Sequence, residues 1–352
     1  MLRFLRRGGR AGSPLGGLGD AGRCVLAAVR VGAVGLGAFG CATTPAPTLP
    51  VVEPPAALAA PEGPAALALA PSPPILLRDV GFLAPRSALH DPEADVYLVS
   101  NGNGGPADAD GNGFISRVAP DGAVLALKWI DGANGGLDAP KGMALHADKL
   151  YVADLKVVRS FDRKTGAALG KVAIVSASYL NDVAVGSHGE LYVSDTGLGK
   201  LKGATELQKL GSDSIYSVDS RGVVGVLGKG AELGQPTGLL AGAQGLWVAS
   251  LSGELYRMAS DGQRLGVTRP AAGGLEGVIE TETGRLVVAC SETSTIYRSQ
   301  PGGASAAAPT KFEPLISELN GPGDIGYDRQ RRQLLVPLVT ENALYIQQIP
   351  AD

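Results

Sequence analysis

The stretch NDVAVGSHGELYVSD, residues 181–195, contains two short apolar segments joined by a polar turn with a glycine. The second segment, LYVSD, is five residues long and carries leucine, tyrosine and valine, as strands commonly do. Two such segments around a short glycine turn are typical of a β-hairpin. The stretch therefore predicts two neighbouring antiparallel strands.

The second strand of this hairpin has relatives along the whole chain, at intervals of 40 to 55 residues. They are VYLVSN (96–101), LYVAD (150–154), LWVAS (246–250), LVVAC (286–290) and LLVPL (334–338). Repeats of this length that consist of strands indicate the blades of a β-propeller. Six copies predict six blades.

Each copy is followed by a third strand with a tight turn and then by a fourth strand, except the last copy, which stops after the third. An apolar segment without a repeat, ILLRDVGFL (75–83), precedes the first blade. If this segment supplies the missing strand, the ring closes without an open edge. We therefore predict an all-β fold, a six-bladed propeller of four-stranded blades over residues 75–352, with the last blade closed by the N-terminal strand 75–83.

Composition agrees with a turn-rich β protein, since the 352 residues include 51 Gly and 24 Pro. The formal net charge is -3, and no basic stripe with interleaved aromatic residues is present. We therefore expect no nucleic-acid partner and a monomeric protein.

Residues 1–40 resemble a bacterial lipoprotein signal peptide, because arginines precede an apolar run that ends in AFG before Cys41. In this interpretation Cys41 is the lipid anchor, and the Pro/Ala-rich residues 41–74 are a linker to the propeller. An ordinary secretory signal with an incidental cysteine is the alternative. The lipoprotein interpretation places the protein in the bacterial cell envelope, as a membrane-anchored lipoprotein that faces the periplasm or the cell surface.

The start of each first strand is expected to face the central channel. In blade order these positions are Arg86, Lys141, Asn181, Thr237, Glu276 and Gly323. Asp182 and Asp324 stand beside two of them, and Asp154 and Asp195 end second strands near the same rim. Mixed charge in a narrow channel predicts binding of a small polar ligand or a cation; in the alternative, Lys141 pairs with Glu276 and the carboxylates cap turns.

Two long insertions, residues 101–113 and 195–213, both fall between the second and third strands of their blades. Such loops lie at the channel mouth, so this face is expected to bind the ligand or an envelope protein. The three histidines, His90, His146 and His188, fall in turns on the opposite face and are expected to be exposed. Histidine-based catalysis at the channel mouth is therefore not expected.

The first insertion contains DADGNGFI, residues 108–115, which resembles the front half of an EF-hand loop. Asp108, Asp110 and Asn112 have the spacing of calcium ligands, whereas Ala119 stands where an EF-hand has its final Glu. The segment predicts either a calcium loop that orders the rim or a plain Asp/Asn/Gly turn.

The strand pattern, together with NDVAVGSHGELYVSD and LEGVIETETGRLVVA (275–289), resembles the SMP-30/gluconolactonase-like, NHL-type six-bladed propellers. The resemblance implies a divalent metal in the channel, held by a Glu of blade 1, an Asn of blade 4 and an Asp of blade 5, with an Asn of blade 3 on the substrate. Asn181 matches the blade 3 position, and Glu276 stands in the blade 5 position.

Two positions depart from this pattern, because Arg86 occupies the Glu position of blade 1 and Thr237 the Asn position of blade 4. A guanidinium cannot lose its charge, so it repels a cation. We therefore expect a propeller that binds a ligand or protein partner without a clear catalytic site. The alternative is a lactone or ester hydrolase with calcium or another divalent cation in a rearranged site that includes Glu276 and Asn181.

Overall fold

The structure is a computed structural model that describes residues 73–202, 204, 206–242, 245–301 and 311–350. Six four-stranded antiparallel sheets are arranged as the blades of a propeller, which confirms the predicted fold. The proposed signal peptide, the anchor Cys41 and nearly all of the linker lie outside the described residues. Within the described part, no helix has the length and apolarity needed to cross a membrane.

The strands are numbered in chain order. The segment before blade 1 forms β1 (Ile75–Leu77). Blade 1 consists of β2 (Pro85–Asp91), β3 (Val96–Asn101), β4 (Phe114–Val118) and β5 (Val124–Asp131). The short helix α1 (Gly132–Gly135) leads to blade 2, which consists of β6 (Pro140–His146), β7 (Lys149–Asp154), β8 (Val157–Asp162) and β9 (Ala168–Ala173).

Blade 3 begins with β10 (Leu180–Val185) and β11 (Leu191–Asp195), continues through the inserted hairpin of β12 (Leu198–Gly199) and β13 (Gln208–Lys209), and ends with β14 (Ser214–Val218) and β15 (Val224–Lys229). Blade 4 consists of β16 (Pro236–Gly242), β17 (Gly245–Ser250), β18 (Leu255–Met258) and β19 (Arg264–Thr268). Blade 5 consists of β20 (Leu275–Glu280), β21 (Leu286–Cys290), β22 (Thr295–Ser299) and β23 (Phe312–Ile316). Blade 6 consists of β24 (Gly326–Asp328), β25 (Gln333–Leu338), β26 (Ala343–Gln348) and β1.

Blade 6 is completed by the N-terminal strand, as predicted, because β1 pairs antiparallel with β26 and places Ile75 opposite Ile346. The strand is shorter than predicted, however, and covers 75–77 instead of 75–83. Asp79 and Gly81 have φ angles of 59° and 100°, which are incompatible with an extended strand. The chain turns there, and Phe82 packs into the core with 2% of its surface exposed.

The core of the described residues consists of six apolar clusters, each between two neighbouring blades. The cluster between blades 6 and 1 includes Tyr97, Leu335 and Leu344, all fully buried. The seam that β1 closes is therefore packed like the other blade interfaces. Since each interface buries apolar side chains from both partners, closure of the ring stabilises every blade.

His90 differs from its expected exposure, because only 8% of its surface is accessible. It lies at the end of β2, where its ring packs against Tyr97 and its nitrogens each lie 3.6 Å from a carboxylate oxygen, of Asp95 and of Asp328. Arg331 pairs with both of these carboxylates. These side chains form a polar network across the seam between blades 6 and 1. His146 and His188 are exposed, as predicted.

The innermost strand of each of blades 1 to 5 carries a β-bulge where it faces the channel. The bulges lie at Arg86, Lys141–Gly142, Asn181–Asp182, Thr237–Gly238 and Glu276–Gly277. A bulge removes a residue from the regular alternation of the strand and turns its side chain in a new direction. These bulges present polar residues to the channel from strands that otherwise face the core.

Glycines next to these bulges allow neighbouring inner strands to approach each other closely. A Cβ atom on Gly142 would lie 2.6 Å from the Cα of Asp182, and one on Gly277 would lie 2.8 Å from the Cα of Asp324. The two aspartates therefore occupy space that only a glycine on the adjacent blade leaves free. This close contact brings the inner strands of neighbouring blades together.

We expect Gly142→Ala to destabilise the protein by about 1–3 kcal/mol, because the added methyl group forces blades 2 and 3 apart. Gly170→Ala is the matched control, since Gly170 lies in the exposed outer strand β9 and the nearest atom, Ser160 Oγ, would be 3.8 Å from the new Cβ. Urea unfolding of both variants measures the difference. Equal stability of the two variants would show that the channel is not tightly packed.

Candidate functional site

A cavity of 310 Å³ lies at the channel mouth and brings together most of the predicted channel positions. Its polar lining includes Arg86, Lys141, Asn181, Glu276, Ser291 and Asp324. Both insertions contribute to its wall, through Pro106 from the first and Leu198 and Leu207 from the second. The insertions therefore lie on the same face as the channel positions, as the repeat pattern predicted.

Lys141 is 3% exposed, yet its ammonium group forms no ion pair with any residue that the structure describes. Its Nζ donates one hydrogen bond, of 3.0 Å, to the carbonyl oxygen of Ala139, and it lies 4.2 Å from the centre of the Tyr179 ring. Burial and the nearby charge of Arg86 lower the pKa of Lys141 to about 7, although Asp154 opposes this shift. The alternative pairing of Lys141 with Glu276 is not formed.

The Arg86 guanidinium has no hydrogen-bond or ion-pair partner among the described residues, and a Cβ atom added to Gly102 would lie 3.8 Å from the Cγ and Nε atoms of Arg86. Its charge nevertheless acts on three groups of the cavity, since it contributes a lowering of the pKa of Lys141, Tyr179 and Glu276. The Arg86 guanidinium and the Glu276 carboxyl group therefore interact electrostatically, although they form no hydrogen bond or ion pair with each other. Both groups line the cavity, which offers space for a ligand.

Glu276 accepts a hydrogen bond of 3.0 Å from the Ser291 hydroxyl. Burial raises the pKa of Glu276 to about 7, the Ser291 hydrogen bond and Arg86 lower it in part, and Asp324 raises it. Asn181 is held in a similar way, because its Nδ2 donates to Thr196 Oγ1 at 2.9 Å. Both partner hydroxyls come directly after a second strand, fifteen residues beyond the side chain that they hold.

The equal spacing of these two hydrogen bonds identifies Thr196 and Ser291 as site residues that were not predicted from the sequence. Thr196 and Ser291 are the first residues after LYVSD and LVVAC, and that position could have been predicted to meet the channel residue of the same blade. Tyr179, which precedes β10, had no comparable signal. Its place under Lys141 depends on the loop that leads into blade 3.

Asp182 and Asp324 are close enough to interact electrostatically, but only Asp324 lines the cavity at the mouth. The Asp182 carboxylate accepts hydrogen bonds of 2.7 Å from the backbone N–H groups of Val183 and of Leu239 in blade 4. The Asp324 carboxylate accepts a hydrogen bond of 2.6 Å from the Ser87 hydroxyl. Burial raises the pKa of both carboxyls, and their mutual repulsion raises that of Asp182 further. A second cavity, of 290 Å³, reaches this pair from the opposite face.

Like Asp182, three further predicted positions, Thr237, Asp154 and Asp195, do not line the cavity at the mouth. The Thr237 hydroxyl donates to the Leu275 carbonyl at 2.7 Å and so ties blade 4 to blade 5. Asp154 accepts from the Ala139 backbone at 2.8 Å, and Asp195 from the Tyr179 backbone at 2.9 Å. These two carboxylates are fully buried and fix the loops on which Lys141 rests, in agreement with the turn-capping alternative.

In the predicted calcium loop, the carboxylates that would bind the ion interact with other side chains of the protein. Asp108 pairs with Lys200 of the second insertion, and Asp110 accepts a hydrogen bond of 2.7 Å from Asn112 Nδ2. The Asp108–Lys200 pair connects the two insertions across the mouth, which the sequence did not indicate. Occupancy by calcium stays a prediction.

Comparison with known proteins finds no matching family model and no matching curated protein. Solved structures do share the fold: a candidate gluconolactonase aligns with a TM-score of 0.58 and 14% identity, over 79% of this chain and 93% of that chain. A streptogramin B lyase aligns with a TM-score of 0.53 and 10% identity, over 79% and 98%. A catalytically inactive histidine-to-alanine variant of virginiamycin B lyase from Staphylococcus aureus, with quinupristin, aligns with a TM-score of 0.53 and 10% identity, over 79% and 99%. The expected likeness to gluconolactonase-type propellers is confirmed for the fold, and such identities carry no information on activity.

The raised pKa of Glu276 makes a pH-dependent contribution to stability. On folding, this pKa rises from 4.5 to about 7, so the folded protein binds the proton more tightly and loses stability relative to the unfolded chain as the pH rises between these values. Glu276→Gln removes this dependence. We therefore expect the variant to gain stability relative to the wild type between pH of about 5 and about 8.

Urea unfolding at several pH values measures this gain. Glu318→Gln is the control, because Glu318 is exposed and its difference from the wild type should not change over the same range. A difference for Glu276→Gln that is equally constant would contradict the burial of this carboxyl.

Proposed function

We propose that this protein binds a small organic anion in the cavity at the channel mouth, and that Arg86 holds the anionic group. The observation that carries the proposal is a guanidinium that faces a cavity and has no partner among the described residues. Guanidinium groups bind carboxylates through two parallel hydrogen bonds. Asn181 and Ser291 line the same cavity and can hydrogen-bond further polar atoms of the ligand.

The size and walls of the cavity restrict the ligand further. A volume of 310 Å³ is at the lower end of the range for small-molecule sites. Leu198, Leu207, Leu251 and Val339 add apolar surface to the lining of the cavity. This combination suits a small anion with an apolar part.

A metal-dependent hydrolase is the second candidate function, because Asn181, Glu276 and Asp324 bring oxygen atoms to one cavity. These residues fit a divalent cation poorly, since the permanently charged guanidinium of Arg86 lines the same cavity and repels it. Hydrolysis of simple lactones that depends on added Ca²⁺, Mn²⁺ or Zn²⁺, and that is lost in Glu276→Gln, would favour this candidate over anion binding.

Histidine-based chemistry has no support in this cavity. The three histidines of the chain lie elsewhere: His90 at the seam between blades 6 and 1, and His146 and His188 at exposed positions. The cavity therefore contains no histidine that could correspond to the one replaced by alanine in the inactive lyase variant. Binding of an anion requires no such residue.

We also propose that the protein is a lipoprotein of the bacterial cell envelope, anchored through Cys41, with residues 42–74 as the linker to the propeller. The sequence of the first 41 residues supports this proposal. The channel mouth would then receive a ligand in the periplasm or at the cell surface, or contact an envelope protein through its two insertions.

Cys41→Ala is expected to move the protein from the membrane fraction to the soluble fraction of the cell, because the thiol that carries the lipid is lost. Cys24→Ala serves as the control and should leave the protein in the membrane fraction. Fractionation with immunoblotting measures both variants. Membrane association that persists in Cys41→Ala would contradict a lipid anchor at this residue.

Arg86→Gln is expected to weaken binding of small carboxylates about tenfold or more, since a charge-assisted hydrogen bond contributes about 1.5–3 kcal/mol. Calorimetric titration with acetate, lactate and pyruvate measures the affinities. Arg221→Gln is the matched control, because its side chain is 80% exposed and remote from the cavity. If no carboxylate bound to the wild type, or if Arg86→Gln bound as tightly, the proposed function would be wrong.

A further inference from the structure

We propose that Lys141 is a carbonyl-reactive amine that forms an imine with a small 2-oxo acid bound in the channel cavity. The inference rests on the proposed function for entry of the anion, and it adds a covalent step that anion binding does not require. The inference depends on the environment of the Lys141 side chain, which is buried and lines the cavity.

The Lys141 amine is placed as a reactive amine needs to be, at the wall of a cavity and without a counter-ion. No carboxylate within the described part of the chain lies within ion-pair distance of it, and its single hydrogen bond goes to a neutral carbonyl, that of Ala139. A buried lysine with a purely structural role normally pairs with a carboxylate, since an unpaired ammonium is costly to bury. Lys141 lacks such a partner although Glu276 lines the same cavity.

The protonation state supports the same role. Burial, followed by the charge of Arg86, lowers the pKa of Lys141 to about 7, so a large fraction of the amine is neutral at neutral pH. Lysines become nucleophilic when they are desolvated or stand next to another cation, and Lys141 meets both conditions. The contact with Tyr179 and the hydrogen bond to Ala139 hold the side chain in place.

The reaction is a condensation that needs no oxidant or reductant. The neutral nitrogen of Lys141 forms a bond to the carbonyl carbon, and the π electrons of the carbonyl move to its oxygen. That oxygen then leaves as water with the two hydrogens of the amine, and a carbon–nitrogen double bond remains. Lys141 thereby loses no atom other than these hydrogens.

Arg86 selects a 2-oxo acid among carbonyl compounds. Arg86 and Lys141 occupy equivalent bulges on the inner strands of blades 1 and 2, which are neighbours around the channel. A carboxylate bound to Arg86 brings a carbonyl on the adjacent carbon towards Lys141. A carboxylate without a carbonyl, such as lactate, would occupy the same place and could not react.

Trapping with borohydride tests the inference. The full-length protein is incubated with pyruvate and sodium borohydride, which reduces an imine to a stable secondary amine, and peptide mass spectrometry locates the adduct. We expect at least about tenfold higher occupancy at Lys141 than at any exposed lysine, because those amines stay protonated at neutral pH. Trapping should increase as the pH rises through about 7, and lactate should suppress it.

Lys141→Met should lose the adduct, and Lys149→Met, at an exposed position one strand away, should keep it. Peptide mapping of the wild type decides the question even if Lys141→Met does not fold. An adduct that is absent or spread over surface lysines overturns the inference. If lactate and pyruvate still bind in an Arg86-dependent manner, only the imine is wrong; if neither binds, the proposed function fails with it.

Discussion

The β-bulges of the inner strands are the constraint on which the rest of the structure depends. A regular strand at this position would point alternate residues into the blade interfaces, where charged groups such as Lys141 and Glu276 could not be accommodated. The bulge turns these residues towards the channel while the rest of each strand keeps its apolar contacts. The glycines beside the bulges then allow the blades to approach closely enough to enclose a cavity.

Enclosure has an energetic cost, because it removes charged groups from water without ion-pair partners. The raised pKa of Glu276 and the lowered pKa of Lys141 have this common cause, since each group avoids its charged form when it is buried. The six apolar clusters between the blades offset the cost elsewhere in the ring. Several ionisable groups with shifted pKa values in one cavity are typical of a functional site rather than of a structural core.

The sequence predicted the blades, the closure of the ring and the face of the site, because all three follow from strand repeats and loop lengths. It also predicted that Arg86, Lys141, Asn181, Glu276 and Asp324 would lie close together, since equivalent positions of a repeat meet at the axis. It left open whether Lys141 would pair with Glu276 and whether Asp154 and Asp195 would cap turns. Such outcomes depend on the direction that each bulge gives to a side chain, and on loops such as the one that carries Tyr179. The burial of His90 was missed for a similar reason: its partners Asp328 and Arg331 come from the other end of the chain.

Arg86 decides between the chemistries that a channel of this fold can support. In a cavity that holds a divalent cation, the surrounding groups must be anionic or neutral oxygen donors. The fixed positive charge of Arg86 opposes such a site because it repels the metal, and it also disfavours the proton on Lys141. The same charge attracts the carboxylate of a ligand. The substitution that weakens the case for a metal site thus provides, in one residue, an anchor for an anion and a reason for a neutral amine beside it.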